Sequence, residues 1–494
     1  KFPKVKIIKP QKFSEYFELN KSQYELDFID VPVNNGDVPL FIDPYAISKR
    51  NDYWSIDCHN AIVDFFQGVI DEICKNNEDR AKNMLSGLRE PNQTRLDLST
   101  GENPRGRGVG GEQVEDLYVA FAGSVAVKTG FIRDLEECEL LIKGIGRDKI
   151  SDVSTNIIRQ KLIEYTQNQC ELWNIATHTV PSGPLWDREN KKWTNEYVKL
   201  PVCKGRSVIL VPKAIARFTL EFNHKEYYQH FVLNFLQTEH LSACSSLVRT
   251  LKDGTKRPPF KKTLKETHPL SKEFLYEFSK EHPDVLKNYK ISKDHSLHEI
   301  TVEDLLLFAL DQKEEERVDL TSLGDELDNI SAGVENAKKF HDHITGVLTA
   351  IFYPYLINPK KEQEIHDGRK RIDISFQNSA HSGFFFDLPN TKSVPSGYIF
   401  IECKNYLGDP ANPELDQLSG RFSINRGRFG FLVCRSFNNK GLFIQRCKDT
   451  VNDDRGYIIA LDDTDIKLLL GLRSENNSRG INDFLEMRYR EIVM

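Results

Sequence analysis

Two short apolar segments in the last third of the chain each contain one acidic residue, and this pattern constrains the fold more than any other. The first reads Arg371-Ile372-Asp373-Ile374-Ser375-Phe376, and the second reads Tyr398-Ile399-Phe400-Ile401-Glu402-Cys403-Lys404. Such residues favour strands, in which successive side chains point to opposite faces. Asp373 is then opposite the apolar face of its strand, and Glu402 and Lys404 share a face. Because a buried acid is costly unless a positive group compensates it, the two strands predict a charged site.

The pattern around these segments predicts an α/β domain. Apolar residues recur at helical spacing from Val334 to Tyr353. Short strands are expected near residues 363–367, 370–376, 398–403 and 429–435. A helix from Pro413 to Ile424 separates the last two of these strands, and a final helix is expected from Asp465 to Leu472. We assign residues 326–494 to this domain.

The first 325 residues have a different pattern. Helices are expected over residues 56–86, 112–127 and 152–173, and residues 214–320 are expected to be mainly helical. Residues 185–213 contain strand-like segments, among them Val208-Ile209-Leu210-Val211. We therefore predict a larger, mainly helical α+β region over residues 1–325, with a sensing, DNA-binding or regulatory role.

The order of the charged residues resembles that of a nuclease superfamily. An Asp, a variable loop and then Glu-x-Lys on the next strand form the signature of PD-(D/E)XK, or restriction-endonuclease-like, nucleases. Here the signature reads Asp373, a gap of 28 residues, then Glu402-Cys403-Lys404. The segment Leu415-Asp416-Gln417-Leu418-Ser419-Gly420-Arg421 is similar to the helix that carries a Gln in the Mrr-type branch. Ile372 replaces the usual Pro, and the gap contains Phe384-Phe385-Phe386, which is expected to form a lid or an insertion.

This resemblance implies a restriction-endonuclease-like core that hydrolyses phosphodiester bonds with Mg²⁺, or with Mn²⁺ as a substitute. Asp373 and Glu402 are the expected metal ligands, with the backbone carbonyl of Cys403 as a third ligand. The side chain of Glu364 is expected either to bind a second metal ion or a metal-bound water, or to be a solvated turn residue. Carboxylate and carbonyl oxygens suit such hard cations. Of the remaining catalytic candidates, Lys404 is expected to position the attacking water, and Gln417 to help orient it.

Basic residues are expected to contact nucleic acid in two places. Arg371 precedes Asp373 by two residues, and Arg421 follows Gln417 by four. Residues 249–265 contain seven basic residues and one acidic residue, in a chain whose formal net charge is −6. A local basic concentration in an acidic protein is typical of a phosphate-binding surface, although a solvated basic loop explains it equally well. The candidate residues in this segment are Lys256, Arg257, Lys261 and Lys262.

Composition excludes several other classes. Hydrophobic residues make up 39% of the chain, which is enough for globular cores. The nine cysteines include no C-x-x-C pair, so neither a zinc ribbon nor a disulfide scaffold is indicated. No apolar run is long enough for a membrane span, and the first residues contain no hydrophobic signal core. We expect a cytoplasmic protein without a membrane partner.

Three functions remain open from the sequence. The favoured one is a DNA endonuclease that acts in bacterial restriction or antiviral defence, as a homo-oligomer or with a partner protein. The second is an inactive nuclease fold that binds nucleic acid or serves as a scaffold, and the third is an RNase. The alternative to a catalytic role is that Glu402 and Lys404 form a structural salt bridge at the edge of a sheet.

Overall fold

A computed structural model of the protein describes residues 11–34, 37–96, 111–132, 134–296, 299–309, 319–361, 374–405 and 408–494. Within these ranges the chain is a mixed α/β protein, as predicted, with two hydrophobic cores. The first core is built almost entirely from residues 13–305, and the second mainly from residues 302–492. No helix in the described ranges is both long and apolar enough to cross a membrane.

The first part of the chain is mainly helical. Its α-helices are α1 (Phe13–Tyr16), α2 (Pro44–Ser48), α3 (Tyr53–Cys74), α4 (Glu78–Leu85), α5 (Gly111–Gly123), α6 (Val125–Lys128), α7 (Cys138–Leu141), α8 (Arg147–Ile157), α9 (Arg159–Leu172), α10 (His224–Tyr227), α11 (Leu233–Ser242), α12 (Lys261–Thr267), α13 (Lys272–Glu281), α14 (Pro283–Ser296) and α15 (Val302–Asp304). Its strands are β1 (Phe41–Ile42), β2 (His178–Pro181), β3 (Leu185–Asp187), β4 (Lys192–Thr194), β5 (Tyr197–Leu200), β6 (Val202–Cys203), β7 (Arg206–Ser207), β8 (Ala216–Arg217), β9 (Arg249–Thr250) and β10 (Lys256–Arg257). The strands form two-stranded antiparallel pairs.

The strand prediction for Val208–Val211 was wrong, although all four side chains are buried. The Ile209 amide donates to the Gln93 carbonyl at 2.9 Å, whereas the Leu210 amide donates to the Thr166 hydroxyl at 2.9 Å. This apolar segment, rich in β-branched residues, is therefore an extended part of the core. Its backbone amides donate to different residues and not to one neighbouring strand. Periodicity alone does not distinguish such a segment from a strand.

The second part of the chain is built around one sheet. Its elements are α16 (Leu320–Asp328), α17 (Ala337–Phe352), β11 (Leu356–Lys360), β12 (Ile374–Asn378), α18 (Gly383–Asn390), β13 (Tyr398–Lys404), α19 (Asn412–Ser419), β14 (Phe429–Cys434), α20 (Lys440–Asn452), β15 (Tyr457–Leu461), α21 (Asp463–Ser474) and α22 (Ser478–Val493). The spatial order is β11-β12-β13-β14-β15. Strand β12 is antiparallel to both of its neighbours, β11 and β13, whereas β13, β14 and β15 run parallel. β13 is therefore the central strand.

The predicted helix at 334–353 and the strands predicted at 398–403 and 429–435 are confirmed. Of the strand predicted at 370–376, only residues 374–376 are described, and they lie in β12. The strand expected at 363–367 lies outside the described residues, and β11 comes before it. The Phe384–Phe386 segment is not a lid, because it forms α18, where Phe384 and Phe385 are buried against Phe429 and Phe352. α18, α20, β15 and α22 were not predicted, and α19 ends five residues earlier than the predicted helix.

Helix α16 belongs to the second core. Leu320, Leu323 and Leu327 are buried there, and Lys467 of α21 forms a salt bridge with Asp328 of α16. The predicted boundary between residues 325 and 326 falls inside this helix, so the second core begins earlier in the chain than that division.

Buried polar contacts join the two cores. The Arg50 guanidinium donates to the Ser379 hydroxyl at 2.7 Å and contacts the Asp52 carboxylate at 3.2 Å. The Ser379 hydroxyl in turn donates to Asp52 at 3.0 Å. Since all three residues are buried, each satisfies polar groups that water does not reach. We call Arg50, Asp52 and Ser379 the interface triad.

A second buried contact between the cores centres on Asp27, which accepts hydrogen bonds from the Tyr165 hydroxyl at 2.7 Å and the Asn358 amide at 3.1 Å. Lys213 is fully buried nearby and donates from Nζ to the Gln23 carbonyl at 3.2 Å. Burial raises the pKa of Asp27. Burial also lowers the pKa of Lys213 to about 7, against the attraction of Asp27.

Candidate active site

The central strand places Glu402 on a face covered by a helix. Ile399 and Ile401 share the face that α17 covers, whereas Phe400 and Glu402 point to the opposite face. There the Phe400 ring lies 5.9 Å from the Phe422 ring, just beyond α19. A strand that is apolar on both faces is typical of a central sheet position, and Glu402 is the one acid within it.

Glu402 is almost completely buried, with 1% of its surface exposed, and it lies between two cations. Its Oε1 atom is 2.6 Å from Nζ of Lys404, and its Oε2 atom accepts a hydrogen bond from Arg421 at 2.8 Å. Two residues apart on one strand, Glu402 and Lys404 share a face, as the alternation predicts. The Glu402–Lys404 salt bridge that the sequence left as an alternative does form, but it lies on the central strand and not at a sheet edge.

Helix α19 adds Gln417 to this pair. The Lys404 amine donates to Oε1 of Gln417 at 3.3 Å. The structure thus brings together three of the four predicted catalytic residues: Glu402, Lys404 and Gln417. Cys403 stands between the first two and pairs with Val433 on β14, so its backbone lies in the same sheet region.

Arg421 was expected to contact nucleic acid, and the structure places it differently. Its side chain is only 2% exposed and its guanidinium binds Glu402. The amide of Arg421 donates to the Leu418 carbonyl, in the turn that follows α19. A phosphate contact requires a guanidinium at the surface, whereas this guanidinium is an internal counter-ion of the acid. Gln417 and Arg421 are four residues apart, but this spacing does not indicate how deeply Arg421 is buried.

Asp373, Glu364 and Arg371 lie outside the described residues. The described chain resumes at Ile374, whose partner on β13 is Ile401, the residue before Glu402. The donors that the described residues offer a metal are the carboxylate of Glu402 and backbone carbonyls, and this oxygen chemistry fits a hard cation. In the described part of the chain, no group of three or more His, Cys, Asp or Glu residues is placed to hold an ion.

Two residues just past the strand ends support the site and were not predicted. Asn405, which follows β13, donates to the Ser331 and Gly333 carbonyls at 3.1 and 2.9 Å. Arg435, which follows β14, donates to Asn405 at 3.1 Å and pairs with Asp463 at 2.8 Å. These contacts fix the carboxyl ends of the two parallel strands to the loop before α17. Polar residues directly after apolar strands were the signal for them in the sequence.

The basic segment contains an exposed hairpin that is distant in sequence from these residues. β9 and β10 pair antiparallel, and the turn between them contains Gly254 with a φ of +82°. Arg249 stacks on the Phe260 ring at 3.7 Å, and Phe260 is 58% exposed. We call residues 249–265 the basic hairpin segment.

The four candidate residues of the basic hairpin segment differ in their surroundings. Lys256 and Arg257 on β10 and Lys262 on α12 are exposed. The Lys256 amine lies 3.0 Å from Sγ of Cys244, whereas the Lys261 amine donates to the Gln229 carbonyl at 2.8 Å. Lys261 thus has a structural role at the start of α12, which leaves the other three as the more accessible cations.

The comparisons with known proteins concern the other part of the chain. Residues 18–223 match a family described as a domain of unknown function (DUF8370). This match covers less than half of the chain and includes Asp27, Arg50, Asp52 and Lys213, but none of the residues around Glu402. No curated protein and no solved structure matches the chain.

Proposed function

We propose that the protein is a metal-dependent nuclease that hydrolyses phosphodiester bonds, with DNA as the favoured substrate. The observation that carries this proposal is the buried Glu402 on the central strand, in contact with Lys404 and within one further hydrogen bond of Gln417. A buried acid held by cations in the middle of a sheet contributes little to stability compared with an apolar residue. Such a cluster is more typical of a functional site.

The order of elements supports the same proposal. A helix (α17), antiparallel strands (β11 to β13, with α18 inserted between β12 and β13), a helix (α19) and a parallel strand (β14) occur in the order that the resemblance to restriction-endonuclease-like proteins implies. Asp373 directly precedes Ile374 in the sequence, and Ile374 pairs with the neighbour of Glu402. This supports Asp373 as the second acid of the site.

Each residue has a distinct role in the proposal. Asp373 and Glu402, the Cys403 carbonyl and Glu364 would hold Mg²⁺, which lowers the pKa of a bound water and neutralises charge on the phosphate. Lys404 orients the attacking water through its amine, and Gln417 restrains that amine. Arg421 keeps the Glu402 carboxylate in a fixed orientation.

Plasmid digestion tests the proposal. We expect wild-type protein to cleave plasmid DNA with Mg²⁺ and to stop on addition of EDTA. Glu402→Gln should lower the rate roughly a thousandfold, because it removes the charge that holds the cation. Asp416→Asn is the matched control, since Asp416 is an exposed carboxylate on α19 that pairs with Arg455 and not with the site. Equal cleavage by Glu402→Gln and wild type would refute the proposal.

The basic hairpin segment favours a second candidate, a protein that binds nucleic acid without cleaving it. Wild-type protein that binds duplex DNA but never cuts DNA or RNA, with either Mg²⁺ or Mn²⁺, would establish this candidate in place of the nuclease. Parallel digestion of matched DNA and RNA substrates separates a DNase from an RNase.

A role in bacterial restriction or antiviral defence follows from the resemblance and is part of the proposal. Phage plating on bacteria that express wild-type protein or Glu402→Gln tests it. Protection by the wild type alone supports the role, and equal plating on both strains opposes it.

A further inference from the structure

Both carboxylate oxygens of Glu402 already have a cationic partner. Lys404 is 2.6 Å from Oε1, and Arg421 is 2.8 Å from Oε2. A divalent cation that binds Glu402 therefore competes with one of these two side chains. Whether Lys404 or Arg421 leaves the carboxylate determines how the site rearranges when the metal binds.

The two cations differ in their freedom to move. The side chain of Arg421 is 2% exposed, whereas that of Lys404 is 19% exposed. A guanidinium displaced from its acid in so buried a place would lose its compensation, at high cost. Lys404 has a flexible four-carbon stem and already has a second acceptor, Oε1 of Gln417 at 3.3 Å.

We propose that Lys404 is a movable counter-ion of Glu402 and that Gln417 is its second acceptor. In the metal-free site Lys404 neutralises Glu402. On metal binding it releases Oε1 and keeps its hydrogen bond to Gln417, while Arg421 stays on Oε2. This inference rests on the proposed metal dependence, and it makes Gln417 a positioning residue for metal loading.

Binding of Mn²⁺ alone, measured by electron paramagnetic resonance of the free ion, tests the inference without any substrate. Lys404→Met removes the competitor and should tighten Mn²⁺ binding roughly three- to tenfold. Gln417→Leu changes no charge, but it removes the second acceptor and should weaken Mn²⁺ binding roughly threefold. The double variant should bind like Lys404→Met, because Gln417 acts only through Lys404.

Gln417→Leu is the decisive variant, because a purely electrostatic effect of Lys404 predicts no change in it. Unchanged Mn²⁺ binding by folded Gln417→Leu, or additive effects in the double variant, would overturn the inference while leaving the nuclease proposal intact. Weaker binding by Lys404→Met would overturn it too. In contrast, wild-type protein that binds no more Mn²⁺ than Glu402→Gln would remove the metal dependence on which both proposals rest.

Discussion

The individual charges in this protein differ greatly in their surroundings, and Arg421 shows this best. Its partner Glu402 is also buried, so the pair exchanges hydration for an ion pair at 2.8 Å. The sequence identified Glu402 and Lys404 because strand alternation fixes which side chains share a face. It did not identify Arg421 as their partner. Whether a residue in the turn after a helix is buried depends on tertiary packing and not on its position in the sequence.

Arg421→Met should lower the free energy of unfolding by about 3 kcal/mol, because it removes one partner of a buried ion pair. Arg455→Met is the matched control. Arg455 pairs with Asp416 on α19, but both side chains are exposed, so its loss should cost no more than about 1 kcal/mol. Urea unfolding of both variants measures the difference, and equal losses would contradict the buried role of Arg421.

Lys213 should make stability depend on pH. Its pKa is about 7 in the folded protein and near 10.5 in an unfolded chain, so unfolding takes up a proton between these values. The free energy of unfolding contributed by this group therefore rises with pH across that window, and the full cost of burying the charge remains below pH 7.

Urea unfolding at several pH values checks this by comparing wild type with Lys213→Met. The stability of the wild type relative to the variant should increase from pH 7 towards pH 10. Lys199→Met, at an exposed position on β5, should show no such trend relative to wild type. A constant difference between wild type and Lys213→Met would contradict a neutral buried amine.

The elements of the second core show what the sequence did and did not determine. Helix α17 and strands β13 and β14 were found because their apolar residues have clear periods. Helix α18 was missed because Phe384-Phe385-Phe386 has no helical period, and its burial comes from contacts with Phe429 and Phe352, which are distant in sequence. The strand prediction for Val208–Val211 in the first core failed for the opposite reason: the composition is typical of a strand, but within the described residues the segment pairs with no strand.

Strand β14 depends on a glycine to approach β13 closely. A Cβ atom on Gly430 would lie 2.7 Å from the Phe400 carbonyl oxygen. Gly430→Ala should therefore lower the free energy of unfolding by about 2 kcal/mol. Gly471→Ala, within α21 where a Cβ meets open space, should raise it by about 1 kcal/mol. Thermal unfolding compares the two, and a neutral Gly430→Ala would show that β13 and β14 can separate without cost.

At the scale of the whole molecule, charge is separated along the chain. The basic hairpin segment carries seven positive charges and one negative, a net of +6, so the rest of a chain with a net charge of −6 carries −12. Lys252 and Arg257 are exposed, and neither forms an ion pair with another described residue. An exposed basic segment in an otherwise acidic chain favours an approach of nucleic acid through that segment.

Replacing Lys252 and Arg257 with Gln should weaken duplex binding at low salt and lower the slope of log Kd against log salt by about 2, one unit for each phosphate contact. Fluorescence anisotropy with a labelled duplex in EDTA measures the slope. Lys75→Gln, an exposed lysine at the end of α3, is the control and should leave the slope unchanged. An unchanged slope in the double variant would place the binding surface elsewhere.

The interface triad has a consequence for how this protein can change over time. Arg50 and Asp52 come from one core and Ser379 from the other, and all three are buried. A chimera that joins the second core to an unrelated N-terminal partner would leave the Ser379 hydroxyl without its acceptor, and the reverse exchange would leave the Arg50 guanidinium without its contact to Ser379. Among homologous chains, substitutions at these three positions should therefore occur together, and the two parts should be inherited as one unit.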